Sequence, residues 1–135
     1  MIVNESDDSS ENWGVTRLLV ETAGDDRQSS LRICGEVDIS TADAFADALR
    51  AALYRSTLQL SVDLSGITFF GVAGLRALLR LRLEAESLAI DLILVAPPYC
   101  VRYLMNITGT AGQFRRLDAP SREPAGVPTY RGVHL

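Results

Sequence analysis

Leu58-Gln59-Leu60-Ser61-Val62-Asp63-Leu64 alternates apolar and polar residues, and it is followed by a glycine-bearing loop, Ser65 to Gly74. Leu75, Leu78, Leu79 and Leu83 then recur at helical spacing. Period two puts every second side chain on one face of a strand, whereas a spacing of three to four residues lines one face of a helix. A strand that passes through a short glycine-bearing loop into a helix is the repeating unit of a parallel α/β sheet. On the outer face of that helix Arg76, Arg80 and Glu84 follow at i, i+4 spacing, close enough for Arg80 and Glu84 to pair.

The flanking sequence repeats the unit. Upstream, Leu18-Leu19-Val20 and Leu31-Arg32-Ile33-Cys34-Gly35 read as two strands joined at Gly24-Asp25-Asp26, a short polar link that favours antiparallel pairing. Ser40 is then placed to cap a helix, with Asp43 three residues on and Ala42, Phe45, Ala46, Leu49, Ala52 and Leu53 on its inner face. Downstream, Leu88 to Val95 is nearly continuous aliphatic sequence, as in a strand buried on both faces. Pro97-Pro98 opens a third helix with Val101, Leu104, Met105 and Thr108 inward and Gly109 as its stop, and Phe114 to Leu117 suits a last short strand. The order β-β-α-β-α-β-α-β predicts a single α/β domain, a mixed, mostly parallel sheet with helices packed on it. Residues 1–14 are expected to form a flexible acidic segment, 15–118 the domain, and 119–135, with Pro120, Pro124 and Pro128, an irregular tail.

A chain of 135 residues fits one domain. Its net charge of −4 argues against a nucleic acid partner, which demands a concentrated basic face. Cys34 and Cys100 are far apart and the single histidine is His134, so neither a metal site nor a nucleophile–histidine pair can be assembled, and no cofactor is expected. The two thiols read as reduced, buried small side chains. No apolar run reaches the ~18 residues of a membrane span, and Met1 to Asn12 lacks the features of a signal peptide. These features predict a cytoplasmic, non-enzymatic protein without membrane insertion.

In a parallel sheet, binding sites lie beyond the carboxyl ends of the strands. Two segments fall there, Glu36 to Thr41 and Ser65 to Gly74; with their flanks they read Cys34-Gly35-Glu36-Val37-Asp38-Ile39-Ser40-Thr41-Ala42 and Val62-Asp63-Leu64-Ser65-Gly66-Ile67-Thr68-Phe69-Phe70-Gly71-Val72-Ala73-Gly74-Leu75. Together they resemble the STAS domain family, whose best-known members are bacterial anti-sigma factor antagonists. Ala96-Pro97-Pro98-Tyr99-Cys100-Val101 to Thr108-Gly109 is similar to a third segment of that family, so the resemblance spans about residues 15–118. It implies a protein-binding module whose partner is an anti-sigma factor or a related kinase-fold protein.

The family carries Asp-Ser-Ser-Gly at the start of the second helix, and its second serine accepts phosphate from the partner. Here the four positions are Gly71, Val72, Ala73 and Gly74, and Ala73 stands where the phosphoserine would be. Phosphoryl transfer needs a hydroxyl, and neither valine nor alanine has one. Asp38 matches an acid at the edge of the family's docking surface. The resemblance therefore implies partner binding through Asp38, Ser40, Gly71, Val72, Ala73, Gly74 and Arg76, without phosphorylation at this loop. Asp38 is equally readable as a loop residue before the first helix, and Arg76 and Arg80 as an ordinary solvated face. Gly66 and Gly71 have the glycine spacing of a phosphate-binding loop, but Val72 and Ala73 replace its lysine and hydroxyl residue. Two other roles remain compatible with the pattern: an accessory subunit docking onto a transporter ATPase, and a sensor holding a small molecule or lipid.

Overall fold

The computed structural model describes residues 18–25 and 27–117 and the backbone of 131–134. The chain order is β1 (Leu19–Gly24), β2 (Gln28–Val37), α1 (Ala42–Arg55), β3 (Gln59–Phe70), α2 (Val72–Ser87), β4 (Asp91–Val95), α3 (Tyr99–Thr108), β5 (Arg115–Leu117) and β6 (Arg131–His134). They form one sheet in the order β5-β4-β3-β2-β1-β6. The β2–β3, β3–β4 and β4–β5 pairs are parallel, and β1 runs antiparallel to β2 and to β6.

The expected hairpin forms because Gly24 adopts a φ of +126° and Asp25 folds the turn, its carboxylate accepting the backbone N–H groups of Arg27 and Gln28 at 2.9 and 3.0 Å. Alternation then decides which face is covered. Leu31 and Ile33 of β2, Leu60, Val62 and Leu64 of β3, and Leu92 and Leu94 of β4 are buried, together with Phe45, Leu49 and Leu53 of α1 and Leu75, Leu78 and Leu81 of α2. Phe45 meets Phe70 edge-on, ring centroids 5.9 Å apart. Asp91, Ile93 and Val95 are only half-buried, so β4 is not covered on both faces as its aliphatic run suggests; the helix face is the sealed one.

Several local expectations are corrected. Ser65 to Phe70 is not loop but the second half of β3, still paired to β2 through a register shift near Gly35. Leu83 is exposed and Leu79 half-buried, because Leu75, Leu78, Leu81 and Ala85 define the inner face of α2. Leu104 is half-buried and Thr108 exposed on α3, where Val101 and Met105 enter the core. Glu84 pairs across the helices with Arg50, at 3.3 Å, rather than with Arg80. Cys34 and Cys100 are free thiols, half-buried rather than buried. Within the segment read as an irregular tail, Arg131–His134 forms a strand, because β1 otherwise presents an unpaired edge to which four residues can add. Residues 1–14 and the rest of that tail lie outside the described residues. Gly109 is the α3 stop, left-handed at φ +72° as its position predicts.

Candidate functional site

Val37 and Phe70, the last residues of β2 and β3, are register partners, which sets the two segments that follow them side by side. The Gly71 N–H donates to the Val37 carbonyl at 2.9 Å and ties the junction together. Gly74 brings α2 down onto it. A Cβ at position 74 would lie 2.7 Å from both the Val37 Cγ1 and the Phe70 Cε1, so only a hydrogen fits where helix meets sheet. Gly71 is different: its φ is −100°, and a Cβ there would meet nothing closer than 3.5 Å. Sterics do not require glycine at position 71.

On the other side of the junction, Asp38 organises the turn into α1. Its carboxylate accepts the Ser40 hydroxyl at 2.6 Å and the backbone N–H groups of Ser40 and Thr41 at 2.9 and 3.2 Å. The Ser40 hydroxyl bond, followed by the backbone donors, holds the Asp38 carboxyl below its ordinary value of 3.8, so it is ionised at neutral pH. Ser40 is therefore not the helix cap expected of it. The cap position belongs to Thr41, which makes no side-chain cap bond and instead accepts the Asp38 N–H at 3.0 Å and donates to the Glu36 carbonyl at 2.7 Å. Thr41 is 5% exposed and fastens the turn from beneath.

Asp38, Ser40, Gly71, Val72, Ala73 and Gly74 thus gather at one end of the sheet, and Arg76 follows a turn along α2, exposed. Val72 is 52% exposed, Ala73 is partly exposed and Gly74 is buried. Two residues escaped the sequence pattern. Ile39 is 89% and Phe69 50% exposed, and the Phe69 ring lies 3.5 Å from where a Gly71 side chain would begin. Phe69 was legible in principle, since adjacent residues of a strand face opposite ways and Phe69 and Phe70 cannot both enter the core. Phe69 and Val72 are thus exposed beside the junction, with the ionised Asp38 in the turn before α1, Glu36 in register with Phe69, and Arg76 one turn along α2. Among the described residues no group of acids, cysteines and histidines is placed to hold a metal ion, and no helix is long and apolar enough to cross a membrane.

A family model described as Mlab, STAS domain matches residues 20–117. The chain belongs to the STAS family. Its fold is also that of solved anti-sigma factor antagonists. One from Mycobacterium paratuberculosis is 26% identical, with a TM-score of 0.66 over 74% of this chain and 85% of that one. The Bacillus cell fate determinant SpoIIAA in its phosphorylated form is 19% identical, with a TM-score of 0.58 over 76% and 92% of the two chains. A putative anti-sigma factor antagonist from Thermotoga maritima is 18% identical, with a TM-score of 0.61 over 73% and 84%. No curated protein sequence matches the chain. This STAS domain resembles anti-sigma factor antagonists in general character, and the Val37–Phe70 junction lies within the matched region.

Proposed function

We propose that this STAS domain is an anti-sigma factor antagonist-like module that docks onto an anti-sigma factor or related kinase-fold regulator through Asp38, Ser40, Gly71, Val72, Ala73, Gly74 and Arg76, and that it does so without a phosphoserine switch. One observation carries the reading: the exposed start of α2 offers Val72 and Ala73, two side chains with no hydroxyl, beside a turn that Asp38 keeps rigid. A phosphate there would add nearly two negative charges to a surface that already holds Asp38. With no acceptor hydroxyl at positions 72 and 73, the helix start stays competent to bind whatever kinase is present. Exposed apolar groups around it suit a dry interface core, where desolvation of Ile39, Phe69 and Val72 supplies the driving force.

The experiment pairs the protein with kinase-type anti-sigma factors and ATP. Intact mass spectrometry is expected to show no added phosphate, while binding is retained. Ala73→Ser restores the missing hydroxyl and is expected to become phosphorylated and released. Phosphate on the native chain at this segment, or capture of a transporter ATPase in place of a sigma regulator, overturns the reading. Val72→Asp is expected to weaken the complex by burying an unpaired carboxylate; unchanged affinity places the interface elsewhere.

A further inference from the structure

Among the described residues nothing packs on the outer face of the α1–α2 pair. Because β2, β3 and β4 are parallel, the two helices that connect them run side by side in one direction. An open groove of about 610 Å³ separates them, walled by Asp43, Asp47 and Arg50 of α1 and by Arg80, Leu83 and Glu84 of α2, with Ala46 and Ala77 at its floor. The Arg50–Glu84 ion pair, at 3.3 Å, bridges the groove and sets positions 50 and 84 at one level. The lining keeps the same offset, Asp43 to Arg50 against Ala77 to Glu84. Asp47 is therefore level with Leu81 and Asp43 with Ala77, each about 1.5 Å of rise from Arg80 and Arg76.

The signs are segregated across that groove. Asp43 and Asp47 stand on one helix at i, i+4, and Arg76 and Arg80 follow on the other at the same spacing, all four exposed. Among the described residues none of the four has an ion pair or a side-chain hydrogen bond. Arg50 and Glu84 neutralise each other, so this face is electrically balanced on a protein whose net charge is −4. Glu36 and Asp38 precede α1 and Arg55 ends it, outside the groove.

We infer that a second copy of the chain docks on this face. A two-fold axis along the groove turns one copy onto the other, keeps the levels and exchanges the two helices, so that Asp43 and Asp47 of each copy face Arg76 and Arg80 of the other. A two-fold contact demands a patch complementary to itself, and opposite charges at one spacing on two level helices meet that demand. Every pair forms twice, and Leu83, 55% exposed, leaves water against the other copy. The footprint limits the strength. With its 14 residues α1 spans about 21 Å, and a helix pair is about 20 Å wide, a footprint of about 400 Å² against the ~800 Å² per partner of a standard interface. The dimer is therefore weak, selected by charge and dissolved by salt.

Sedimentation equilibrium of the full chain reads the mass directly. At an ionic strength of about 0.01 M the native protein is expected to pass from monomer toward dimer as its concentration rises to about 1 mM, and to return to monomer in about 1 M salt, where charges are screened beyond ~3 Å. Asp47→Arg and Arg80→Asp, both at exposed positions, each put two like-charge contacts into the interface. Each is expected to weaken the dimer about tenfold or more, with far-UV circular dichroism unchanged. Mixed in equal amounts, the two variants are expected to associate with each other, because the two replaced side chains then face one another and the native pair forms once. A protein that stays monomeric at low salt overturns the inference. So does a dimer that ignores both substitutions or persists in high salt, and so does a mixture that associates no better than either variant alone. Asp47 and Arg80 lie outside the set of residues proposed above for docking, so none of these results touches that reading, which is tested by partner affinity.

Discussion

Replacing Gly74 with alanine tests whether helix α2 is seated on the sheet as tightly as the geometry requires. The added methyl would sit 2.7 Å from the Val37 Cγ1 and the Phe70 Cε1 and 3.1 Å from the Phe70 Cδ1. Neither neighbour can swing away: Val37 is fully buried, and Phe70 is 5% exposed and held edge-on by Phe45. Forcing one carbon into a packed interior costs about 1–3 kcal/mol through displaced side chains and backbone. Alanine recovers up to about 1 kcal/mol of helix propensity, a gain reduced here because the position is in the first turn. The net loss is therefore about 1–2 kcal/mol, which for a domain of this size lowers the melting temperature by about 4–10 °C. Gly71→Ala is the matched control, since its methyl meets nothing closer than 3.5 Å and its backbone is accessible to any residue. That variant should stay within about 0.5 kcal/mol of the native protein. Scanning calorimetry and urea unfolding measure both. A Gly74→Ala protein as stable as the native one, or a Gly71→Ala protein equally damaged, would refute the seating of α2 on Val37 and Phe70.

Three further outcomes are expected. The Asp38 carboxyl is held below 3.8 first by the Ser40 hydroxyl, so its turn bonds stabilise the fold above the unfolded value and are lost as pH falls through the lower folded one. Carbon-detected NMR titration should show that depressed midpoint, and Ser40→Ala should raise it while leaving Asp25, held down by Gln28 and Arg27 amides, where it is; an Asp38 midpoint indifferent to Ser40 contradicts the turn. Thr41→Val keeps the shape but removes the hydroxyl that accepts the Asp38 N–H and donates to the Glu36 carbonyl, and a urea melt should register a loss of about 1–3 kcal/mol. Burial raises the Cys34 and Cys100 thiols above their ordinary 9.0, so both should alkylate more slowly at neutral pH than in the unfolded chain; equal rates would show them open to solvent.

Where the chain's own neighbours decide conformation, the sequence was readable. Leu60, Val62 and Leu64 alternate because every second side chain meets α1 or α2, and Gly109 ends α3 because a left-handed residue must follow it. What misled were residues whose role is set by distant partners. Gly66 looks like a loop glycine, yet it lies mid-strand because the Cys34 sulfur occupies the space where its Cβ would be, 2.3 Å away. Glu84 has a partner at helical spacing in Arg80, but α1 brings Arg50 and the Tyr54 hydroxyl to it instead. Ser40 has the composition of a cap and loses the place to Thr41 because the Asp38 carboxylate draws its hydroxyl the other way. At the candidate site, the polar positions were visible as motif residues. Phe69 was legible only through strand alternation against Phe70, and Ile39 carries no periodic signal because it lies in the turn between Asp38 and Ser40.

On the proposed docking function, the absence of a hydroxyl from Val72 and Ala73 changes the kind of control this surface can have. A phosphoserine makes a binding site that is either intact or charged, and the population changes one molecule at a time through a kinase and a phosphatase. Val72 and Ala73 leave a surface whose occupancy follows concentration and affinity alone, unless something competes for it. A competitor that covers such a surface nine-tenths of the time weakens the apparent affinity about tenfold, in proportion to the uncovered fraction, and requires no covalent chemistry. Control of that kind is graded and always partly open, which is the behaviour the proposed function predicts for a surface with Val72 and Ala73 at its helix start.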